Sequence, residues 1–207
     1  MRKLFVSEFL TVDGVMQAPG ASDEDMEGGF QHGGWQLAYF DDVFAKSMEE
    51  TMGNTGAFVL GRKTYEIFAA YWPTAKEEVG EFADLMNEMP KYVASKSLRP
   101  PLEWQNSTLL EGDVGESITA LKQEEGKDLQ VIGSGNLAAS LMRLGMVDEF
   151  RLMIHPLVLG SGRRLFPEGL PRIPLRLLDS KTTSTGVLIV TYGMESPGDS
   201  VARRVGM

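Results

Sequence analysis

Gly61-Arg62-Lys63-Thr64 places two cations where a short apolar run, Ala57-Phe58-Val59-Leu60, gives way to a helical pattern at Tyr65-Glu66-Ile67-Phe68. The first turn of a helix offers free backbone N–H groups and the positive end of the helix dipole, so it favours an anion. Arg62 and Lys63 oppose that dipole, and a bound phosphate would remove the conflict. A solvated basic turn fits the same four residues. Ser95-Lys96-Ser97, directly after Tyr92-Val93-Ala94, offers two hydroxyls and an ammonium at a strand end. That set suits a phosphate monoester such as a ribose 2′-phosphate, although taken singly a polar turn is the simpler reading. Gly133-Ser134-Gly135-Asn136-Leu137 follows Val131-Ile132. Its small residues let backbone approach a ligand, and the next helix offers its N-terminus to a pyrophosphate. The GxGxxG pattern is not met, because Ala138 stands at the third glycine position.

The remaining elements must hold these three turns at strand ends. Leu4 to Leu10 is a β run that stops at the turn signal Asp13-Gly14. Residues 17–34 form a long loop rich in Gly, Asp and Glu, a type that is often functional. Apolar spacing predicts helices over 40–52, 62–70, 77–89, 114–123 and 137–144. Strands are expected over 57–60, 91–95, 107–110 and 128–132, with a long one over 149–159 bent at Pro156. Residues 175–183 and 187–194 read as an antiparallel hairpin through Ser184-Thr185-Gly186. This alternation predicts one α/β domain over 1–195, with a mixed, mostly parallel sheet covered on both faces and 196–207 as a loose tail.

Composition narrows the partners. The net charge of −9 argues against nucleic acid or an anionic membrane. An anionic ligand would therefore need a local basic pocket. With no cysteine, disulfides, thiolate nucleophiles and cysteine metal sites are excluded, and His32 and His155 stand in no metal-ligand spacing. No metal is expected. His155 reads as a hydrogen-bonded strand-end residue. Met1 to Val6 runs straight into a strand without a signal-peptide pattern, and no apolar run approaches a membrane span, so a cytoplasmic protein is expected.

The ordered set GRKTYE, VASKSL and VIGSGNL resembles the dihydrofolate reductase fold. Asp148-Glu149-Phe150-Arg151, the run His155 to Phe166 and the opening Thr11-Val12-Asp13-Gly14-Val15 are similar to the reductase domain of bifunctional riboflavin-biosynthesis proteins. The resemblance runs from about Arg2 to Met194, and is strongest to stand-alone bacterial dihydrofolate-reductase-like proteins. It implies a three-layer α/β/α sandwich, NADPH as cofactor and a homodimer. It also implies that Gly61, Arg62, Lys63 and Thr64 contact cofactor phosphates. Ser95 and Lys96 would hold the 2′-phosphate, Gly133, Ser134, Gly135, Asn136 and Leu137 the pyrophosphate. Asp13, Gly14, Val15 and Met16 would lie beside the nicotinamide. Two departures stand out: Gly-Ser replaces Gly-Gly at 133–134, and Ala138 replaces the usual tyrosine. The second argues against strict folate chemistry.

Dihydrofolate reductases place a carboxylate on the first helix, which brings in Asp41 and Asp42, though aspartate there is also an ordinary cap. Glu8 lies inside the first strand, where a carboxylate is costly unless paired or functional. Trp35, Tyr65 and Trp72 are candidate walls for a flat substrate, although core or loop packing is the simpler reading of each, since large aromatics usually serve that role. Arg163 and Arg164 could receive a substrate phosphate or form a surface turn. The acids from Asp23 to Glu27 would repel an anionic substrate unless they face solvent. The expected activity is NADPH-dependent reduction of a small heterocyclic substrate, resembling 5-amino-6-(5-phosphoribosylamino)uracil reductase. The alternatives are dihydrofolate reductase proper and an NADPH-binding protein without turnover.

Overall fold

A computed structural model describes residues 1–195, and the expected tail over 196–207 lies outside the described residues. Eight strands form one sheet. They are β1 (Leu4–Thr11), β2 (Thr55–Gly61), β3 (Lys91–Ala94), β4 (Ser107–Leu109), β5 (Asp128–Ile132), β6 (Glu149–His155), β7 (Leu175–Thr182) and β8 (Leu188–Met194). Their spatial order is β4-β3-β2-β5-β1-β6-β8-β7. All neighbours pair in parallel except β8, which is antiparallel to both β6 and β7. The closing hairpin and the mixed sheet follow the sequence pattern.

The helices are α1 (Asp42–Asn54), α2 (Arg62–Tyr71), α3 (Lys76–Val79), α4 (Glu81–Glu88), α5 (Val114–Gln123) and α6 (Gly135–Arg143). Strand alternation sends side chains to two faces. Leu4, Val6 and Leu10 of β1 meet Ile118 and Leu121 of α5 and Leu137, Leu141 and Met142 of α6. On the other face, Phe58 and Leu60 of β2 pack with Tyr65 of α2 and Met86 of α4, and Phe9 packs with Phe44 of α1. Helices on both faces of the sheet give the three layers.

Two expected elements differ. The helix over 77–89 is broken into α3 and α4 by Gly80, at φ +64°, a left-handed conformation that glycine adopts without a Cβ penalty. The long strand ends at His155 instead of continuing to Leu159, since Pro156 has no N–H for the ladder. His155 is fully buried there. Its Nδ1–H donates to the Met153 carbonyl at 2.9 Å and lies 3.2 Å from that of Leu10, in keeping with the strand-end reading.

Candidate functional site

The parallel strands part in the middle of the sheet. Pairing between β1 and β5 stops at Ser7↔Ile132, whereas β1 stays paired with β6 to Thr11↔His155. A crevice therefore opens beyond the carboxyl end of β5, where the chain crosses leftward from β1 and rightward from β5. Such switch points are where open α/β sheets hold ligands.

Two of the three glycine or hydroxyl turns are sewn together beside this crevice. Gly61 N donates to Ser134 Oγ at 2.9 Å, and Ser134 N donates to Thr64 Oγ1 at 2.8 Å. Gly133 and Ser134 are both left-handed, at φ +57° and +59°. The Gly-Ser departure thus keeps a tight turn. A left-handed serine costs about 1–2 kcal/mol, offset by the two bonds Ser134 makes. The third turn is adjacent: Gly61 registers with Ala94, which puts Ser95-Lys96 at the neighbouring strand end. Ser95 Oγ accepts from Ser97 N and Leu98 N. Lys96 is exposed. Arg62 pairs with Glu66 one turn along α2.

Lys63 does not stand free. Its ammonium meets Asp25 Oδ1 at 2.6 Å and also pairs with Glu27. The same two carboxylates pair with Arg163, which arrives from the loop after β6. Asp25 and Glu27 of the long loop therefore turn toward these cations, Asp25 enclosed and Glu27 still largely exposed, while Asp23 is exposed. Gln17 anchors this lid: its Nε2 donates to the Asp25 and Glu27 carbonyls at 3.1 and 3.0 Å, and its Oε1 accepts from Arg163 N.

Asp13 is a clasp between the loops after β1 and β6. It accepts from Thr11 Oγ1 at 2.6 Å and Gly160 N at 2.9 Å, while Arg164 Nε donates to its carbonyl at 2.8 Å. The Thr11 bond above all holds its carboxyl down at about 2. Arg164 is thus committed to the clasp. Gly14 turns the chain at φ +79°, Val15 is fully buried, and Met16 abuts Gly135, where a Cβ would lie 2.9 Å from its sulfur.

Glu8 lies one residue past the last β1–β5 pair, 7% exposed, and its Oε1 has no hydrogen-bond partner. Burial first, and then the nearby Glu24 carboxylate, raise its carboxyl well above the usual carboxylate range. Glu24, on the long loop, is itself fixed by bonds from Gly20 N and Ala21 N.

Other expected site residues serve the framework. Asp41 caps α1 through Phe44 N, and its second oxygen accepts from Ser184 N and Oγ. Asp42 is exposed in the first turn of α1. Tyr65 is buried among core residues with its hydroxyl accepting from Trp104 N, and Trp72 packs edge-on against Phe68 and Phe82. Both are placed as core aromatics, the packing reading of the two offered by the sequence. Trp35 is 9% exposed, donates to the Gln17 carbonyl and stands edge-on to His155. The roles of Gln17 and Glu24 carried no sequence signal, since their partners are loop backbone.

An open α/β sheet with small-residue turns and basic side chains around a switch-point crevice is built to hold a ligand beyond its strand ends. The match to the RibD C-terminal domain covers residues 2–189, and the chain belongs to that family. It is 35% identical over 137 residues to the uncharacterized Bacillus subtilis protein YyaP, covering 65% of this chain and 71% of that one. It is 39% identical over 61 residues to the uncharacterized YwjB of the same organism, spanning 30% of this chain and 35% of that one. A Shewanella sp. PV-4 protein named for riboflavin biosynthesis shares the fold, with TM-score 0.71 and 18% identity over 94% of this chain and 99% of its own. A pyrimidine reductase-like protein of Corynebacterium diphtheriae superposes with TM-score 0.62 at 13% identity, over 94% and 92%. Among the described residues no helix is long and apolar enough to cross a membrane, and no three His, Asp or Glu side chains gather to hold a metal.

Proposed function

We propose that the protein is an NADPH-dependent reductase of a small heterocycle, of the phosphoribosylamino-pyrimidine kind. The observation that carries this reading is the joined pair of turns at the crevice, Gly61/Thr64 with Gly133/Ser134. The residues present fit a dinucleotide. A Cβ on Gly133 would meet Thr64 at 2.9 Å, so this turn is built for close backbone packing beside a helix start, and buried Glu8 Oε1 awaits a partner in the crevice. Lys63, Thr64 and the first turn of α6 would hold the pyrophosphate, and Ser95 and Lys96 the 2′-phosphate. Bound NADPH would supply the hydride. Glu8 would supply the proton, passed from its carboxyl to the nitrogen or oxygen of the bond being reduced and regained from water. The family match and the names of the structural neighbours support a reductase over a binding module. Following NADPH oxidation against phosphoribosylamino-pyrimidines and dihydrofolate tests this. Turnover of dihydrofolate alone would sink it, as would tight binding without turnover.

Lys96 sets the expected cofactor preference. A charge-assisted phosphate contact is worth roughly 1.5–3 kcal/mol, so Lys96→Ala should weaken NADPH about tenfold or more and leave NADH nearly unchanged. Equal affinity of the unaltered protein for both would overturn the assignment.

We also assign a homodimer to the open sheet edge. β7 has a neighbour on one side only, and Leu177 and Leu178 are 53% and 45% exposed. Edges of this kind need a cover. Light scattering should give near twice 22.8 kDa, and a monomer at high concentration would refute it.

A further inference from the structure

We infer that Asp25 and Glu27 act as an internal anion, occupying a phosphoryl-binding site formed jointly by Lys63 and Arg163, so that a phosphorylated ligand must displace the lid to bind. Three elements meet here: the start of α2, the loop after β6 and the long loop. Each of the two carboxylates pairs with each of the two cations. Two cations brought together from distant positions repel unless an anion lies between them. Lys63 also opposes the dipole of α2, so the site is more basic than the framework needs. Glu27 and both cations are partly exposed, with side chains 63%, 40% and 40% accessible, so the pairs are weakened by water and can be exchanged. Asp25 is the more enclosed member at 10%. A pocket of about 290 Å³ lies alongside, between Gln17, Glu27, Gly28 and Phe30 on the lid side and Gly162-Arg163 on the other.

The lid is held by backbone bonds as well as by the ion pairs. Gln17 holds it by the Asp25 and Glu27 carbonyls, and Gly28 and Gly29 follow with positive φ. Displacing this segment therefore breaks the Gln17 bonds together with the four ion pairs. A ligand that brings two negative charges replaces the charge removed and gains by its differential affinity for the open state.

This rests on the reading of Lys63 as a phosphate ligand, and the test separates the two. NADPH, inorganic pyrophosphate and ribose 5-phosphate are titrated against the full chain and against Asp25→Asn/Glu27→Gln, whose side chains keep their shape. Removing the competing anion should tighten binding by roughly three- to tenfold, within the range expected of partly exposed ion pairs. A gain for NADPH and pyrophosphate identifies the cofactor as the source of the phosphoryl group, and a gain for ribose 5-phosphate alone identifies the substrate. Unchanged or weaker binding of all three by the folded variant overturns the inference. If the unaltered chain binds no NADPH, the proposed function fails instead. Amide hydrogen exchange over residues 23–29 gives a second reading without any variant. It should speed up when pyrophosphate is added, and slowing would refute displacement.

Discussion

Replacing Glu8 with glutamine should lower kcat by about 10²–10⁴-fold, the usual contribution of a positioned general acid, and leave NADPH affinity nearly unchanged. The side chain keeps its size and loses only its transferable proton. The pH profile carries the sharper sign. A carboxyl raised by burial and by Glu24 keeps its proton to higher pH than an ordinary carboxyl, so kcat should fall as pH climbs through its raised value, and this limb should vanish in Glu8→Gln. Stability gives a check that needs no substrate. The folded pKa lies above the unfolded one, so the folded state binds the extra proton. Stability is fully present below about 4.5 and is lost as pH rises toward the folded value. Thermal melts of the unaltered chain should drop over that window more than those of Glu8→Gln. Equal turnover and parallel melting curves would remove Glu8 from the chemistry.

Glu8 was legible as an anomaly because a carboxylate inside an apolar strand conflicts with the pattern around it. Its surroundings were not, since they depend on where β1 and β5 part. The three turns were legible for a related reason. Glycine, serine and lysine at strand ends are a local signature, and the sheet then brings Gly61 and Ser134 together. The inward pairing of Asp25 and Glu27 was hidden. An acidic glycine-rich loop has no periodicity, and its partners Lys63 and Arg163 lie at least 36 and 136 residues away. Tyr65 and Trp72 were readable as packing residues from their type alone, but not which neighbours they meet, because helical spacing does not say which face turns to the sheet. The break at Gly80 was masked by apolar residues that keep helical spacing on both sides of it.

Gly133→Ala should weaken NADPH binding about tenfold or more, because it disturbs the turn that aims the first N–H groups of α6 at an anion. Two costs combine. Alanine at φ +57° is strained by about 1–2 kcal/mol. Its Cβ would also lie 2.9 Å from Thr64 Cγ2, closer than real Cβ contacts come, and a tight 3.0 Å from Thr64 Oγ1. Thr64 cannot retreat freely, since its hydroxyl accepts from Ser134 N at 2.8 Å and Gly61 N is tied to Ser134 Oγ. Relief of the overlap therefore pries α2 from α6 where the two turns are joined. Thr64→Ser removes the nearer methyl and keeps the hydroxyl, so it should be nearly neutral alone. Added to Gly133→Ala, it should restore part of the lost affinity and melting temperature, leaving the backbone strain. Two outcomes would count against a site built on this close approach: Gly133→Ala binding NADPH as tightly as the unaltered chain, or a folded double variant that regains nothing.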